Sequence, residues 1–199
     1  TANVLSTACL AEGTTTIECA ACEPEIGDLV RFLTAMGARI RGENCHLIEV
    51  DGVRSLHGTE YTIMPDRIEA GTYLLAGAAT GGDVCAVGCQ PNVLLALIDK
   101  MEEAGVQVTT GTDWVRAISS GKPAATDVVT LPFPGFPTDL QAQMMAFLSI
   151  ADGISVITEK VFPERFIHVG ELNRLGAAIT LDGSRAVVRG VKHLHGART

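Results

Sequence analysis

The stretch Asp66-Arg67-Ile68-Glu69-Ala70-Gly71-Thr72-Tyr73-Leu74-Leu75-Ala76-Gly77-Ala78-Ala79-Thr80-Gly81-Gly82 reads as a helix whose second half, from Tyr73 to Ala79, is apolar or small all round. A helix with no polar face belongs inside a protein. A short strand follows, Asp83-Val84-Cys85-Ala86-Val87, then a proline loop, Gln90-Pro91-Asn92, and a second helix closing on Gly105. Leu94, Leu97, Ile98 and Met101 stand at i, i+3, i+4 and i+7 of that second helix, which is therefore amphipathic. Val106 to Val108 then pairs with Trp114 to Ile118, whose alternation of apolar and polar residues shows one face to water.

The same order occurs twice more. Apolar helices run from Asn3 to Gly13 and from Thr138 to Gly153, and strands follow at Thr15 to Cys19 and Ser155 to Thr158. Proline loops come next, Glu23-Pro24-Glu25 and Phe162-Pro163-Glu164, and the second helices close on Gly37 and Gly176. Ile26, Leu29, Val30 and Leu33 make the first of these amphipathic; Phe166, Val169, Leu172 and Leu175 give the third copy a weaker stripe. Ala38 to Ile40 pairs with His46 to Val50, and Ala177 to Leu181 with Ala186 to Val191 across the turn Asp182-Gly183-Ser184. Val128 to Leu131 reads as a linking strand. The expectation is an α/β protein of repeated units, with fully buried apolar helices inside and sheets outside.

Composition bounds the function. The chain has 199 residues, 47% hydrophobic and 19% charged, enough for a sizeable core. A net charge of −8 argues against nucleic acid or an anionic membrane as partner, and no uninterrupted apolar stretch is long enough to span a bilayer. Six cysteines, Cys9, Cys19, Cys22, Cys45, Cys85 and Cys89, do not make a disulfide framework in a chain this long, and most lie in apolar runs where thiols act as small hydrophobes. Cys19 and Cys22 have C-x-x-C spacing with no second pair to complete a zinc site, so structural thiols in a reducing, cytoplasmic setting are expected. The absence of a starting methionine suggests a processed product or a piece of a longer chain.

The segment Pro132-Phe133-Pro134-Gly135-Phe136-Pro137-Thr138-Asp139-Leu140-Gln141-Ala142-Gln143 is a proline-stiffened loop running into an apolar helix. Two readings of Asp139 stand side by side. Thr138 is a good N-cap and an acid in the first turn suits the helix dipole, which makes Asp139 part of the cap. Alternatively, the stiffened loop fixes a carboxylate in a cleft. Propensity alone puts the capping reading first.

Several segments together resemble a known family. They are Leu10-Ala11-Glu12-Gly13-Thr14-Thr15, Glu23-Pro24-Glu25-Ile26, Met64-Pro65-Asp66-Arg67-Ile68-Glu69-Ala70-Gly71-Thr72, Phe136 to Gln143, and Ile157-Thr158-Glu159-Lys160-Val161-Phe162 with Arg165-Phe166. In order and over essentially all 199 residues they resemble the UDP-N-acetylglucosamine 1-carboxyvinyltransferases of the enolpyruvyl transferase family. The Pro-Asp-Arg-Ile-Glu and Pro-Thr-Asp-x-Gln-Ala-Gln segments favour that branch over the sister enzyme of the shikimate pathway, which has the same fold.

The resemblance implies transfer of the enolpyruvyl group of phosphoenolpyruvate to the 3-hydroxyl of UDP-N-acetylglucosamine, the committed step of peptidoglycan synthesis, with no cofactor and no metal. It implies two domains, each an inside-out α/β barrel of repeated βαβαββ units, of which this chain holds three of an expected six. Residues 1–64 would be the last unit of one barrel and residues 65–199 two units of the catalytic barrel. Asp139 falls at the family's proposed general base, where it also binds substrate, and Val161 at a position contacting the nucleotide sugar. Arg165 is a hypothesis, as support for Asp139 or for the ligand. Glu23 and Glu25 read either as cleft-edge contacts to the opposite domain or as a charge pair at a helix start, and Asp66 with Arg67 as a helix start and hinge. His57, His168, His193 and His195 show no ligand spacing and are expected in loops or on the surface.

The family's phosphate-holding residues and its proton-donor loop would precede Thr1, and another helix would follow Thr199. None of the six cysteines inherits the loop cysteine's role, so the chain alone is expected to be inactive. It is then either a segment of a transferase, completed by a missing segment or a second chain, or a half-length nucleotide-sugar-binding or interaction module.

Overall fold

The three copies of the sequence pattern fold into three copies of one backbone arrangement, described by a computed structural model over residues 1–197. The first copy contains α1 (Ala2–Ala8), β1 (Thr14–Glu18), α2 (Pro24–Ala35), β2 (Arg39–Arg41) and β3 (Leu47–Asp51). The second has α3 (Arg67–Ala79), β4 (Asp83–Val87), a 3-10 turn at Pro91–Val93, α4 (Leu95–Glu103), β5 (Gln107–Thr110) and β6 (Trp114–Ile118). The third begins with β7 (Val128–Val129) and a 3-10 turn at Thr138–Leu140. It continues as α5 (Gln141–Leu148), β8 (Ile154–Thr158), α6 (His168–Arg174), β9 (Ala178–Asp182) and β10 (Arg185–Arg189). The chain divides into two compact units, Thr1–Pro65 and Asp66–Thr199.

In each copy the last strand takes the centre of its sheet. The orders are β1-β3-β2, β4-β6-β5 and β8-β10-β9, all antiparallel, with β7 added parallel to the free edge of β8. The sequence predicts the pairing of the last two strands; the pairing of the first with the last is long-range and leaves no local signal.

Equivalent backbone hydrogen bonds stitch every copy. Gly13 O, Gly82 O and Gly153 O accept from Gly52 N, Ser119 N and Gly190 N at 2.9, 3.0 and 3.0 Å. Met36 O, Ala104 O and Leu175 O, at the ends of the second helices, accept from His57 N, Ala124 N and His195 N at 3.0, 2.9 and 2.8 Å. At Gly52 and Gly190 the backbone passes so close to the carbonyls of Ala11 and Ala151 that a Cβ would collide with them, which is why glycine stands there.

Each unit has its own core. In the first it is built from Leu5, Ala8, Cys9, Val30, Leu33, Ile48 and Val50. In the second, α5 is embedded through Met144, Met145, Phe147 and Leu148, none of them accessible. The full burial predicted for the apolar helices is approached by α5, which has no exposed residue although Ala142, Gln143 and Ala146 are only partly buried, and is corrected for the other two. Val4 in α1 is 53% exposed and Tyr73 in α3 is 61% exposed. α1 packs on β1, β3 and α2, and α3 on β4, β6 and α5, but in neither helix does the packing reach all the way round.

The cysteine reading is corrected as well. Cys9 and Cys89 are buried, with thiol pKa values pushed up by burial, whereas Cys19, Cys45 and Cys85 are exposed. Strand alternation puts Cys85 on the outer face of β4 with Asp83 and Val87, so lying in an apolar run does not guarantee burial.

Candidate active site

Strands β7 and β8 run parallel and release their following loops side by side, with Thr130 N donating to Thr158 O at 3.0 Å. Between those loops lies the carboxylate of Glu159, only 1% exposed. Its Oε1 accepts from Thr130 Oγ1 at 2.5 Å, Val161 N at 2.8 Å and Phe162 N at 3.0 Å. Its Oε2 accepts from Thr138 Oγ1 at 2.9 Å and Gln141 Nε2 at 3.2 Å. Burial pushes this carboxyl's pKa up, but the hydroxyl and main-chain donors together outweigh it and hold the group below the usual carboxylate range. Glu159 is therefore ionised at neutral pH.

Asp139 stands at the rim of this network. Pro137 occupies the N-cap position of the 3-10 turn, and no side chain caps it. Thr138 has turned its hydroxyl to Glu159, which corrects the expectation that it caps the helix. Asp139 does not cap either. Its Oδ1 accepts from Arg165 Nη1 at 2.6 Å, and the same guanidinium nitrogen reaches Thr138 Oγ1 at 3.2 Å. Arg165 also lies over the Phe162 ring, 5.7 Å from its centroid. The Asp139 side chain is 53% exposed, and Oδ2 has no hydrogen-bond partner among the described residues. One carboxylate oxygen is thus anchored and the other faces outward, an arrangement suited to taking a proton from a hydroxyl about 3 Å away.

Val161 sits two residues beyond Glu159 with its N–H committed to that carboxylate, so a ligand would meet its carbonyl or its side chain. Arg165 comes together with Asp139, as one of the two sequence hypotheses has it. The remaining candidates lie elsewhere. Asp66 caps α3, accepting from Ile68 N at 2.8 Å and Glu69 N at 3.1 Å. Arg67 is buried with its guanidinium 5.7 Å from the Phe133 ring, tying the start of α3 to the proline-rich loop. Glu23 and Glu25 belong to the other compact unit, at the start of α2, where Glu23 makes no capping bond. His168 is corrected from a loop or surface residue to the first residue of α6, with Nε2 buried and unpartnered among the described residues. Burial, aided by the charge of Arg165, pushes its pKa down. Among the described residues no three His, Cys, Asp or Glu side chains are grouped to hold a metal, and no helix is long and apolar enough to cross a membrane.

Sequence reasoning assigned no role to Glu159, Thr130 or Gln141. The available signal was slight: an acid just after one predicted strand, Ser155 to Thr158, and a threonine inside another, Val128 to Leu131. Only the parallel pairing of those strands makes neighbours of them.

Three copies of a helix, strand, helix, strand, strand arrangement, each with its last strand central in an antiparallel sheet, are the repeat of the enolpyruvyl transferase fold. The backbone is similar to that of the enolpyruvyl transferase NikO from Streptomyces tendae, with a TM-score of 0.80 and 26% identity over 94% of this chain and 45% of that one. An EPSP synthase from Acinetobacter baumannii is similar in fold, with a TM-score of 0.52 and 17% identity over 98% of this chain and 45% of that one. The chain spans less than half the length of either, in keeping with three units out of six. Its residues 1–199 match the EPSP synthase (3-phosphoshikimate 1-carboxyvinyltransferase) family, and the chain belongs to that family.

Proposed function

We propose that the chain is the part of an enolpyruvyl transferase that holds the acceptor hydroxyl, and that the acceptor is UDP-N-acetylglucosamine. The observation that carries this reading is Asp139: an exposed carboxylate at a helix start that caps nothing, anchored through one oxygen by Arg165. A sugar hydroxyl is too weakly acidic to attack unaided. In the proposed reaction the outward oxygen of Asp139 takes the proton of the 3-hydroxyl as its oxygen bonds to C2 of the enolpyruvyl group. Phosphate then leaves C2 while C3 gives up a proton to a base outside these residues, which restores the carbon–carbon double bond. Val161 contributes a contact to the nucleotide sugar. The residues that bind phosphoenolpyruvate and donate a proton to its C3 come from outside these 199 residues.

The choice of acceptor is supported by the Pro-Thr-Asp-x-Gln-Ala-Gln and Pro-Asp-Arg-Ile-Glu segments. Phosphate release by the full-length protein, given phosphoenolpyruvate with either UDP-N-acetylglucosamine or 3-phosphoshikimate, tests it. Release with the nucleotide sugar alone is expected; release with 3-phosphoshikimate alone overturns the acceptor. In a second reading, a half-length nucleotide-sugar-binding module, Asp139 and Val161 hold the sugar without turnover. Calorimetric titration of UDP-N-acetylglucosamine into this chain, with no phosphate release from any longer form, would establish that reading instead.

A further inference from the structure

Glu159 is an expensive residue to place where it is. An ionised carboxylate with 1% exposure has left water, and its five hydrogen-bond donors are two hydroxyls, one amide and two main-chain N–H groups, none of them cationic. Burying such a group is a poor route to stability compared with an apolar residue of the same size. What it gains is geometry, and the division of labour between its oxygens shows which geometry. Oε1 holds the main chain at Val161 and Phe162 and ties it to Thr130 just after β7, and Oε2 holds Thr138 and Gln141 at the helix start bearing Asp139. The Val161–Phe162 segment has no regular structure to fix it, and Asp139 stands in a single 3-10 turn. Gln141, also 1% exposed, reinforces the junction by donating to Arg165 O at 3.1 Å, which ties the partner of Asp139 to the same point.

We propose that Glu159 is a positioning residue that sets the Asp139 turn and the Val161–Phe162 main chain in one register, both held by a single buried carboxylate. This rests on the reading of Asp139 as the base. The rigidity of the carboxylate makes the distance between the two loops a fixed quantity, so the proton acceptor and the nucleotide-sugar contact move together or not at all.

Glu159→Gln tests it, because an amide can offer an acceptor to one loop only and turns an NH2 toward the donors of the other. In the full-length protein, kcat should fall about 10- to 100-fold, the scale of a displacement of about 1 Å in a catalytic group. In an Asp139→Asn background the same change should cost less than about 3-fold, because a group acting through Asp139 has nothing left to position. An equal loss of kcat in both backgrounds, or no loss in either, overturns the proposal.

If Asp139→Asn alone turns over normally, the base assignment has failed, and the positioning claim is then read on this chain without activity. Glu159→Gln should speed amide hydrogen exchange at Val161 and Phe162, or shift the Asp139 carboxyl resonance, by more than it changes the strands β8 and β10. Unchanged exchange and an unchanged resonance overturn it. Should Glu159→Gln fail to fold, Thr138→Val removes one donor from Oε2 and leaves Oε1 untouched, at the cost of the longer Arg165 contact to the same hydroxyl. It should displace the Asp139 resonance and lower kcat while leaving Val161 and Phe162 protected, and normal values for both readouts would sink the proposal.

Discussion

Two helix starts in the larger unit carry nearly the same sequence device and use it in opposite ways. At Pro65-Asp66 the acid follows the proline directly, takes the N-cap position and satisfies the N–H groups of Ile68 and Glu69. At Pro137-Thr138-Asp139 one residue intervenes, the proline itself takes the N-cap position, and the threonine that would cap is drawn to Glu159 instead. The first turn tightens to 3-10 geometry, and Asp139 is left with a guanidinium for a partner rather than helix amides. Capping is thus the outcome when nothing stronger competes for the side chain. A buried carboxylate nearby competes successfully, because a hydrogen bond to a charged acceptor is roughly twice as strong as a neutral one.

If the contrast is one of function, the largest effect belongs to Asp139→Asn. Phosphate release by the full-length protein should drop by about 10² to 10⁴, the range for loss of a positioned base. The unfolding free energy should move by less than about 1 kcal/mol, since only an exposed ion pair is lost. A large loss of stability with normal turnover would make the two helix starts alike after all.

Asp66→Ala should behave in the mirror sense. Loss of a two-donor cap costs about 1 kcal/mol, within a range of roughly 0.5–2, by urea unfolding of this chain. Turnover in the full-length protein should be unchanged, and Asp66→Asn should recover most of the stability. Smaller again is Arg165→Met, which keeps much of the side-chain length over Phe162 and removes the charge beside Asp139. Stability should change by at most about 1 kcal/mol, and turnover should fall, but by less than in Asp139→Asn, because the carboxylate stays and only its anchor is lost. Turnover equal to wild type would leave Arg165 with no part in the site.

The sequence carried the repeat and much of the site unequally. Helix type and place were legible because the periodicity is local: Leu97, Ile98 and Met101 of α4 are buried as their spacing requires. The burial of whole helices was not, since Tyr73 is apolar and still exposed, and burial depends on what covers a helix rather than on the helix. Asp139 was singled out by resemblance, while propensity favoured a cap. The structure removes the cap on physical grounds. Glu159 stayed hidden because its neighbours, Thr130 and Thr138, are 29 and 21 residues away in sequence, and no periodic signal joins loops that become adjacent only when β7 pairs with β8.

The smallest effect concerns pH, and it falls on the Asp139 side of the comparison. His168 has its pKa lowered by burial and by Arg165, the same guanidinium that anchors Asp139. A base whose folded pKa lies below its unfolded value of 6.5 binds fewer protons folded than unfolded between those two values. Its contribution to stability is therefore complete above pH 6.5 and shrinks as pH falls through that window. Glu159 adds a second, more acidic step. Its depressed pKa contributes stability above the unfolded value of 4.5, which is lost as pH drops through the folded one. Urea unfolding of the chain at pH 7 and pH 5.5 isolates the histidine step, because Glu159 stays ionised at both. The wild-type chain should be less stable at pH 5.5, and His168→Gln should narrow the gap between the two conditions. A gap of equal size in the variant would place the titrating group elsewhere and leave the Asp139–Arg165 pair without an acid-sensitive neighbour.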